Sequence, residues 1–339
     1  MCPIQRRRAV GQCLYLVLLA ASCLVPASVH LQAEQIPAVA SLEAAVNDLP
    51  LDPSARQEIE AALKSHNYAS AEAVLLRAID QHPKVPQIYD YLGRIFFVDG
   101  KYLNAAIALK KSEALQPLEE RDRFTLAMTY ISLQHPSWAR LELEKLAEAN
   151  PRNPLYPYWQ GRLEYDGQNV PAAIANFKNA IADDPGFMKA YDNLGLCLEA
   201  LGKNDAAIEQ YQNAVRLNRD PNFRSPWPPM NLGALLAKLD RLEEAEPLFR
   251  ESLQFDADFA QSHYQLGVLL QKQNKIPAAV EELKRAAALD PAYSDPHYAL
   301  ARLYRRAGKM DQAQHELQIF QDIKAKEPIP RVESRERLP

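Results

Sequence analysis

At 339 residues, with a net charge of −4 and a pI near 6.0, the chain lacks the strongly basic surface of a general nucleic-acid binder. Hydrophobic residues make up 47% and charged residues 24%, the mix of a folded, largely helical protein. Of the four cysteines, Cys2, Cys13 and Cys23 stand near the N-terminus and Cys197 stands alone in the body of the chain, which excludes an internal disulfide framework. Cys197 is expected to pack as a small hydrophobe.

The first element in chain order is a targeting segment. Arg6-Arg7-Arg8 precede an apolar run from Ala9 to Val25, with small residues at Ala20, Ala21, Ser22 and Ala27. A basic start, an apolar core and small residues at a cleavage point form the pattern of a secretory signal. A run of seventeen residues is at the lower limit for spanning a bilayer. Residues 1–33 are therefore read as a signal peptide cut after Ala27 or Ala33, with an uncleaved membrane anchor as the alternative. Leu19-Ala20-Ala21-Ser22-Cys23 also resembles a bacterial lipoprotein cleavage box, although its leucine lies one position early. On that reading Cys23 is lipidated, and several acyl chains hold the protein on a membrane. The expected location is outside the cytoplasm: periplasmic, secreted, or membrane-anchored as a lipoprotein.

Residues 34–51 form a linker and capping helix, in which Ser41 is the N-cap of a short amphipathic stretch through Val46 that covers the first repeat. From residue 52 the chain holds one register. Gly93, Ala127, Gly161 and Gly195 are each 34 apart, Gly233 follows after 38, and Gly267 and Ala301 resume the interval of 34. Twelve residues after each stands an alanine: Ala105, Ala139, Ala173, Ala207, Ala245, Ala279 and Ala313. Ala71, Leu75, Ala78 and Pro83 carry the pattern one unit upstream, where Glu58 and Ile59 replace the usual leucine and small residue. Pro83, Pro117, Pro151, Pro185 and Pro291 close units, because proline lacks an amide hydrogen and clashes with the preceding helical turn.

Residues 188–218 show the logic of one unit. Tyr191, Leu194 and Leu198 lie at the three- and four-residue intervals of one helical stripe, and Ala207, Tyr211 and Ala214 repeat it on a second helix. Gly195, Ala207 and Ala214 carry almost no side chain, so the two axes can close to the short end of the roughly 8–10 Å packing range. Gly202 stands where the chain reverses and a positive φ is needed. This spacing closely resembles a tetratricopeptide (TPR) unit, a helix-turn-helix of 34 residues. The resemblance covers eight units, 52–85, 86–119, 120–153, 154–187, 188–221, 226–259, 260–293 and 294–325. It implies an all-α fold, a right-handed α-solenoid, whose concave face is lined by the first helix of each unit and receives an extended peptide or a helix. Residues 326–339 are read as a disordered tail, since Pro328 and Pro330 break the helix. The last second-helix then caps itself with Gln312, Gln314, His315, Gln318, Gln321 and Asp322.

The resemblance places the second, fifth, ninth and twelfth positions of each first helix toward the groove. Candidate partner-binding residues at those places are Arg94, Phe124, Tyr158, Arg162 and Tyr165 in the first half of the array. Lys189, Trp227, Met230, Tyr264, Tyr298, Arg302 and Arg305 follow in the second. Tyrosine and tryptophan offer large contact areas with a polar handle, and arginine pairs bidentately with carboxylates. The same residue types also pack between repeats, so each has a structural reading beside the functional one. Lys272, Arg302, Arg305 and Arg306 against the single acid Asp295 predict a positive C-terminal end, suited to an acidic segment or a free C-terminal carboxylate. The carboxylate-clamp pattern of some TPR proteins is not reproduced, although Asn193 and Asn231 are present.

The four extra residues near Arg219–Pro229 delay the sixth first-helix to about Trp227 or Pro228 and form either a partner-contacting loop or a bulge that re-aims the stack. Catalytic patterns are absent from the sequence. No CxxC, HExxH or GxSxG occurs, and the glycine-lysine pairs at Gly100 and Gly202 belong to repeat turns. His263 and His297, 34 apart, read as packing residues with metal binding as the minor alternative. The sequence thus predicts a non-enzymatic scaffold, without cofactor or metal, that binds a protein or peptide to assemble a cell-envelope complex. The alternative is an accessory or substrate-recruiting subunit of a cell-wall or glycan-processing enzyme complex. No nucleic-acid partner is expected, and the membrane enters only through a lipid or an uncleaved signal.

Overall fold

The computed structural model describes residues 42–219 and 224–326. The predicted signal, Cys23, most of the insertion's tip and the tail beyond Lys326 lie outside the described residues. The described chain is all-α and of the α-solenoid class, and it divides into two compact units at Asn169 and Val170.

The first unit opens with residues 42–45 in a helical turn that runs into a 3₁₀ turn, Val46–Asp48. Leu42, Val46 and Leu49 are buried, and the Tyr91 hydroxyl donates to the Leu42 carbonyl at 2.7 Å. Helix α1 (Pro53–Lys64) starts on Asp52, whose carboxylate accepts from the Ala55 amide at 2.9 Å, with proline at the first helical position. Then follow α2 (Tyr68–Gln81), α3 (Pro86–Val98), α4 (Tyr102–Glu113), α5 (Glu120–Ser132), α6 (Pro136–Ala149) and α7 (Leu155–Asp166). The second unit holds α8 (Val170–Asp183), α9 (Met188–Ala200), α10 (Asn204–Leu217), α11 (Trp227–Lys238), α12 (Leu242–Phe255), α13 (Ala260–Lys272), α14 (Ile276–Leu289), α15 (Ser294–Arg306) and α16 (Met310–Lys326). Odd-numbered helices are the first and even-numbered helices the second of each repeat.

Close approach of the two helices is built into the sequence. A Cβ on Gly93 would sit 2.6 Å from Leu109, on Gly195 2.5 Å from the Tyr211 ring, on Gly233 2.8 Å from Phe249 and on Gly267 2.8 Å from Leu283. The large partner is always sixteen residues on, so one contact recurs in each of these repeats. The alanines of the second helices, from Ala71 through Ala279, are buried in every repeat. Each reversal between paired helices passes through one left-handed residue with φ between 52° and 73°: His66, Gly100, Gln134, Gln168, Gly202, Asp240, Asn274 and Gly308. Only three of these are glycine, so the other five hold a conformation that costs an L-residue roughly 1–2 kcal/mol, offset by the helix pair they join.

Within each unit, every second helix also packs on the next first helix. Among the described residues, the backbones of successive first helices come close for α3 and α5, α9 and α11, α11 and α13, and α13 and α15, whereas those of successive second helices stay further apart. The first helices therefore form the inner layer of each unit. Buried serines tie the layers: Ser112 and Ser252 donate to the carbonyls of Pro86 and Pro226, at 3.2 and 2.8 Å, where the first helix of the same repeat begins. The terminal helix α16 buries only Ala313 of its residues, and Gln312, Gln314, His315, Gln318, Gln321 and Asp322 are exposed.

Gly195→Leu is expected to overpack the α9–α10 contact against Tyr211 and to lower stability by about 1–3 kcal/mol. Thermal or urea melts of the full chain check this, and an unchanged midpoint would refute the register.

Candidate partner-binding surface

The insertion is closed at its base by ordinary hydrogen bonds. Asn218 brackets Ser225, donating from Nδ2 to its carbonyl at 2.6 Å and accepting from its amide at 2.8 Å. Helix α11 begins at Trp227, as the prolines require. The Trp227 ring stands edge-on to Phe259 at 4.7 Å, and the Arg224 guanidinium lies 5.5 Å from the Phe255 ring. Trp227 thus anchors the start of the helix against its own repeat.

The candidate groove residues fall into three groups. Tyr158 (2% exposed), Arg162 and Met230 are buried. Arg162 Nη1 donates to the Tyr158 hydroxyl at 3.4 Å, and its guanidinium lies 5.6 Å from the Trp159 ring. Arg94, Phe124, Tyr165, Lys189, Trp227 and Tyr264 are half-buried. Arg94 pairs with Asp122 and lies over Tyr91, Phe124 meets Tyr156 at 6.1 Å, and Tyr264 stands against Tyr293 at 5.2 Å. Tyr298 (46% exposed), Arg302 and Arg305 form the exposed group, all on one helix, α15. Tyr298 leans on Phe320 of α16 at 5.2 Å, and the Arg302 guanidinium sits 5.9 Å from the Tyr298 ring.

The fifth position of the repeat explains much of this division. Asp90, Asp192 and Met230 all stand there and are buried where the next first helix packs. Tyr298 occupies the same position in the last repeat, with no further repeat among the described residues, and is open to solvent. The predicted basic end is also partly spent internally. Lys272 donates from Nζ to the Ala237 carbonyl at 2.7 Å, completing the C-terminal end of α11. Arg302, Arg305 and Arg306 remain exposed.

Polar ties between repeats were not legible from residue type alone. Asn231 Nδ2 donates to both carboxylate oxygens of Asp192, at 3.1 and 3.0 Å, and Lys238 reaches Glu199 at 3.0 Å. In the first unit Arg123 joins Glu113 of α4 to Glu142 of α6, at 2.9 and 2.6 Å. Tyr156 donates to Glu120, which also accepts from Asn153 at 3.2 Å. The sequence signal for such ties is an acid and a donor at facing positions of consecutive units, visible only once the facing positions are known.

The two histidines belong to separate pairs. His263 Nδ1 donates to Glu282 at 2.6 Å, and His297 Nδ1 to Glu316 at 2.6 Å, each glutamate lying on the second helix of the same repeat. Among the described residues no group of three or more His, Cys, Asp or Glu side chains is placed to hold a metal ion. His263 Nε2 also meets the Ala257 carbonyl at 3.0 Å, so both ring nitrogens face acceptors, an arrangement that favours the doubly protonated ring. Burial alone would lower its pKa, but the bonds to Glu282 and Ala257 outweigh it and raise the value above 6.5. The lone Cys197 is buried and its thiol is pushed up to about 12, which keeps it unreactive.

Because the folded His263 holds its proton more tightly than the unfolded chain, its contribution is full below pH 6.5 and is lost as pH rises through the raised value. His263→Gln is expected to cost about 1.5–3 kcal/mol in acid, the range of a hydrogen bond to a charged group, and much less in alkali. Denaturant midpoints of the two proteins measured across this range check the prediction, and a difference that does not shrink with rising pH would contradict it.

The comparisons with known proteins agree with this geometry. Models of the tetratricopeptide repeat match residues 56–120, 124–186 and 158–222, and further tetratricopeptide repeat models match 230–255 and 270–328. The chain is similar to the peroxisomal targeting signal receptors of Saccharomyces cerevisiae, 27% identical over 202 residues, and Candida glabrata, 28% over 201. These alignments take in 56% of this chain and 32% of each receptor, so the chain spans about a third of the length of the curated relatives it matches. Among solved structures it is similar in fold to a tetratricopeptide repeat protein from Parabacteroides merdae, with a TM-score of 0.60 and 15% identity over 79% of this chain and 98% of that one. It is also similar to PilW, a type IV pilus biogenesis factor, with a TM-score of 0.54 and 17% identity over 61% of this chain and 94% of that one. With its repeats matched along most of their length, the chain belongs to the tetratricopeptide repeat family.

Proposed function

We propose that this protein is a non-enzymatic scaffold, exported from the cytoplasm of a bacterium, that binds a protein or peptide partner on its first-helix layer to assemble a cell-envelope complex. The observation that carries the binding surface is the exposed row Tyr298, Arg302 and Arg305 on α15. An aromatic face and two guanidinium groups spaced along one helix side suit a partner segment that supplies carboxylates, either acidic side chains or a free C-terminus. Within the same unit, the half-buried Lys189, Trp227 and Tyr264 add contact area and shape. The buried members, Tyr158 and Arg162 in the first unit and Met230 in the second, hold the first helices of their own unit in place.

Two likenesses support a role in protein recognition. One similar protein is a receptor for a peroxisomal targeting signal, and another is a factor in type IV pilus biogenesis. The reading of export rests on the N-terminal pattern, Arg6-Arg7-Arg8 followed by an apolar run and small residues. No helix of the described residues is long and apolar enough to cross a membrane.

Capture from membrane and soluble fractions, comparing the natural protein with a Tyr298→Ala, Arg302→Ala, Arg305→Ala variant, tests the surface. All three residues are exposed, so the variant is expected to stay folded, with a midpoint lowered only by the lost Tyr298–Phe320 contact, while losing its partner. Partners retained equally by both proteins would defeat the assignment. Export is read separately: palmitate labelling that disappears in Cys23→Ser establishes the lipoprotein form, and a shortened, unlabelled mature chain in the culture or periplasm establishes ordinary cleavage. A full-length chain confined to the cytoplasm would overturn the reading.

A further inference from the structure

The second and third repeats meet over three charged groups, one of them the groove candidate Arg94, which its pair with Asp122 draws inward. Asp90 of α3 and Asp122 of α5 are 5% and 4% exposed, and Arg94 of α3 lies between charges of both helices. Arg94 Nε stands 3.1 Å from Asp122 Oδ1, close enough for an ion pair but without the alignment of a hydrogen bond. Asp90 Oδ1 is buried with no hydrogen-bond donor among the described residues. Burying a carboxylate oxygen in that way is costly, and natural proteins seldom tolerate it without a reason. The same position in the fifth repeat shows the ordinary solution, since Asp192 receives Asn231 on both oxygens.

The charges do not balance. One guanidinium faces two carboxylates, so the cluster carries one negative charge when both acids are ionised and none when one of them holds a proton. Around it, the positive Arg121 is offset by the negative Glu119. On α4 the neighbour of Asp90 is the neutral Ser112 hydroxyl. Helix α5 and the residue before it bring Glu119, which opposes ionisation, and Arg121, which acts on Asp122. Helix α2 turns apolar residues inward, and its buried acid Glu72 is already paired with Lys101 at 2.8 Å.

We propose that Asp90, Arg94 and Asp122 form a proton-operated joint between the second and third repeats: uptake of one proton neutralises the cluster and tightens α3 against α5, and its loss loosens them. Burial, with Asp122 adding to it against the opposing pull of Ser112 and Arg94, pushes the Asp90 carboxyl up to about 6, and burial likewise raises Asp122. The folded chain therefore holds this proton more tightly than the unfolded chain, whose aspartate titrates near 3.8. The joint is strongest in acid, weakens as pH rises from about 4 to about 6, and stays at its weakest above that. For a protein exposed to the pH outside a cytoplasm, this couples the stiffness of the first unit to its surroundings. The window lies below that of His263, and the two groups sit in different units.

Carboxyl carbon NMR titration of the full chain, with amide hydrogen exchange of α3 and α5 followed across the same range, tests the joint. One aspartate carboxyl in the cluster is expected to titrate about two units above an ordinary aspartate. Exchange in α3 and α5 should quicken as it ionises. Asp90→Asn should abolish that titration, flatten the pH dependence of exchange and raise the thermal midpoint at neutral pH. Asp122→Asn serves as a second variant with the same expected flattening, and Asp192→Asn as a control that leaves the α3 and α5 curves unchanged. Ordinary titration of both Asp90 and Asp122, or pH-dependent exchange that survives both cluster substitutions, would overturn the proposal.

Discussion

Four of the repeats depend on two helices coming closer than ordinary side chains allow. The contact of a small residue on the first helix with a large one sixteen positions later sets that distance, as at Gly195 against Tyr211 and Gly267 against Leu283. Dispersion and burial in such contacts are strong only when the packing leaves no void. The alanines on the second helices keep the same spacing from the other side. A single unit still has too little core to stand alone, so each pair must lean on its neighbours. The local contact fixes the brick, and the joints between bricks fix the stack.

Those joints are where the chain uses polar chemistry. Asp192 with Asn231, Lys238 with Glu199, Arg123 with Glu113 and Glu142, and Lys272 on the Ala237 carbonyl each tie one repeat to another. A hydrogen bond or ion pair of this kind adds direction, which apolar contact lacks, and so fixes the angle between successive units. The Asp90–Arg94–Asp122 cluster departs from the rest because one guanidinium faces two buried carboxylates and an Asp90 oxygen has no donor among the described residues. Its departure has a physical consequence, since a buried imbalance of one charge is relieved by one proton.

Surface available to a partner is what remains after the joints are made. The fifth position of the first helix looks outward in a single repeat and is covered in a stack, as Asp90 and Met230 show. Tyr298 escapes because it ends the described array, and Arg302 and Arg305 continue its helix face. The chemistry open to solvent is therefore aromatic and cationic there, while tyrosine and arginine of the same types are interior at Tyr158 and Arg162.

The sequence by itself determined the helix pairs, the prolines between them and the late start of α11 at about Trp227, because each follows from local rules of spacing, close approach and proline geometry. It also marked the turns at Gly100 and Gly202, but not the same left-handed turns at His66, Gln134, Gln168, Asp240 and Asn274, where the helix pair imposes a conformation the residue does not prefer. Which tyrosines and arginines are buried and which are open to solvent was decided only by the tertiary structure. Residue type is identical for Arg94, paired beneath the next repeat, and for Arg302, open on the last first-helix. Burial depends on what packs above a position, and that information lies one repeat further along the chain.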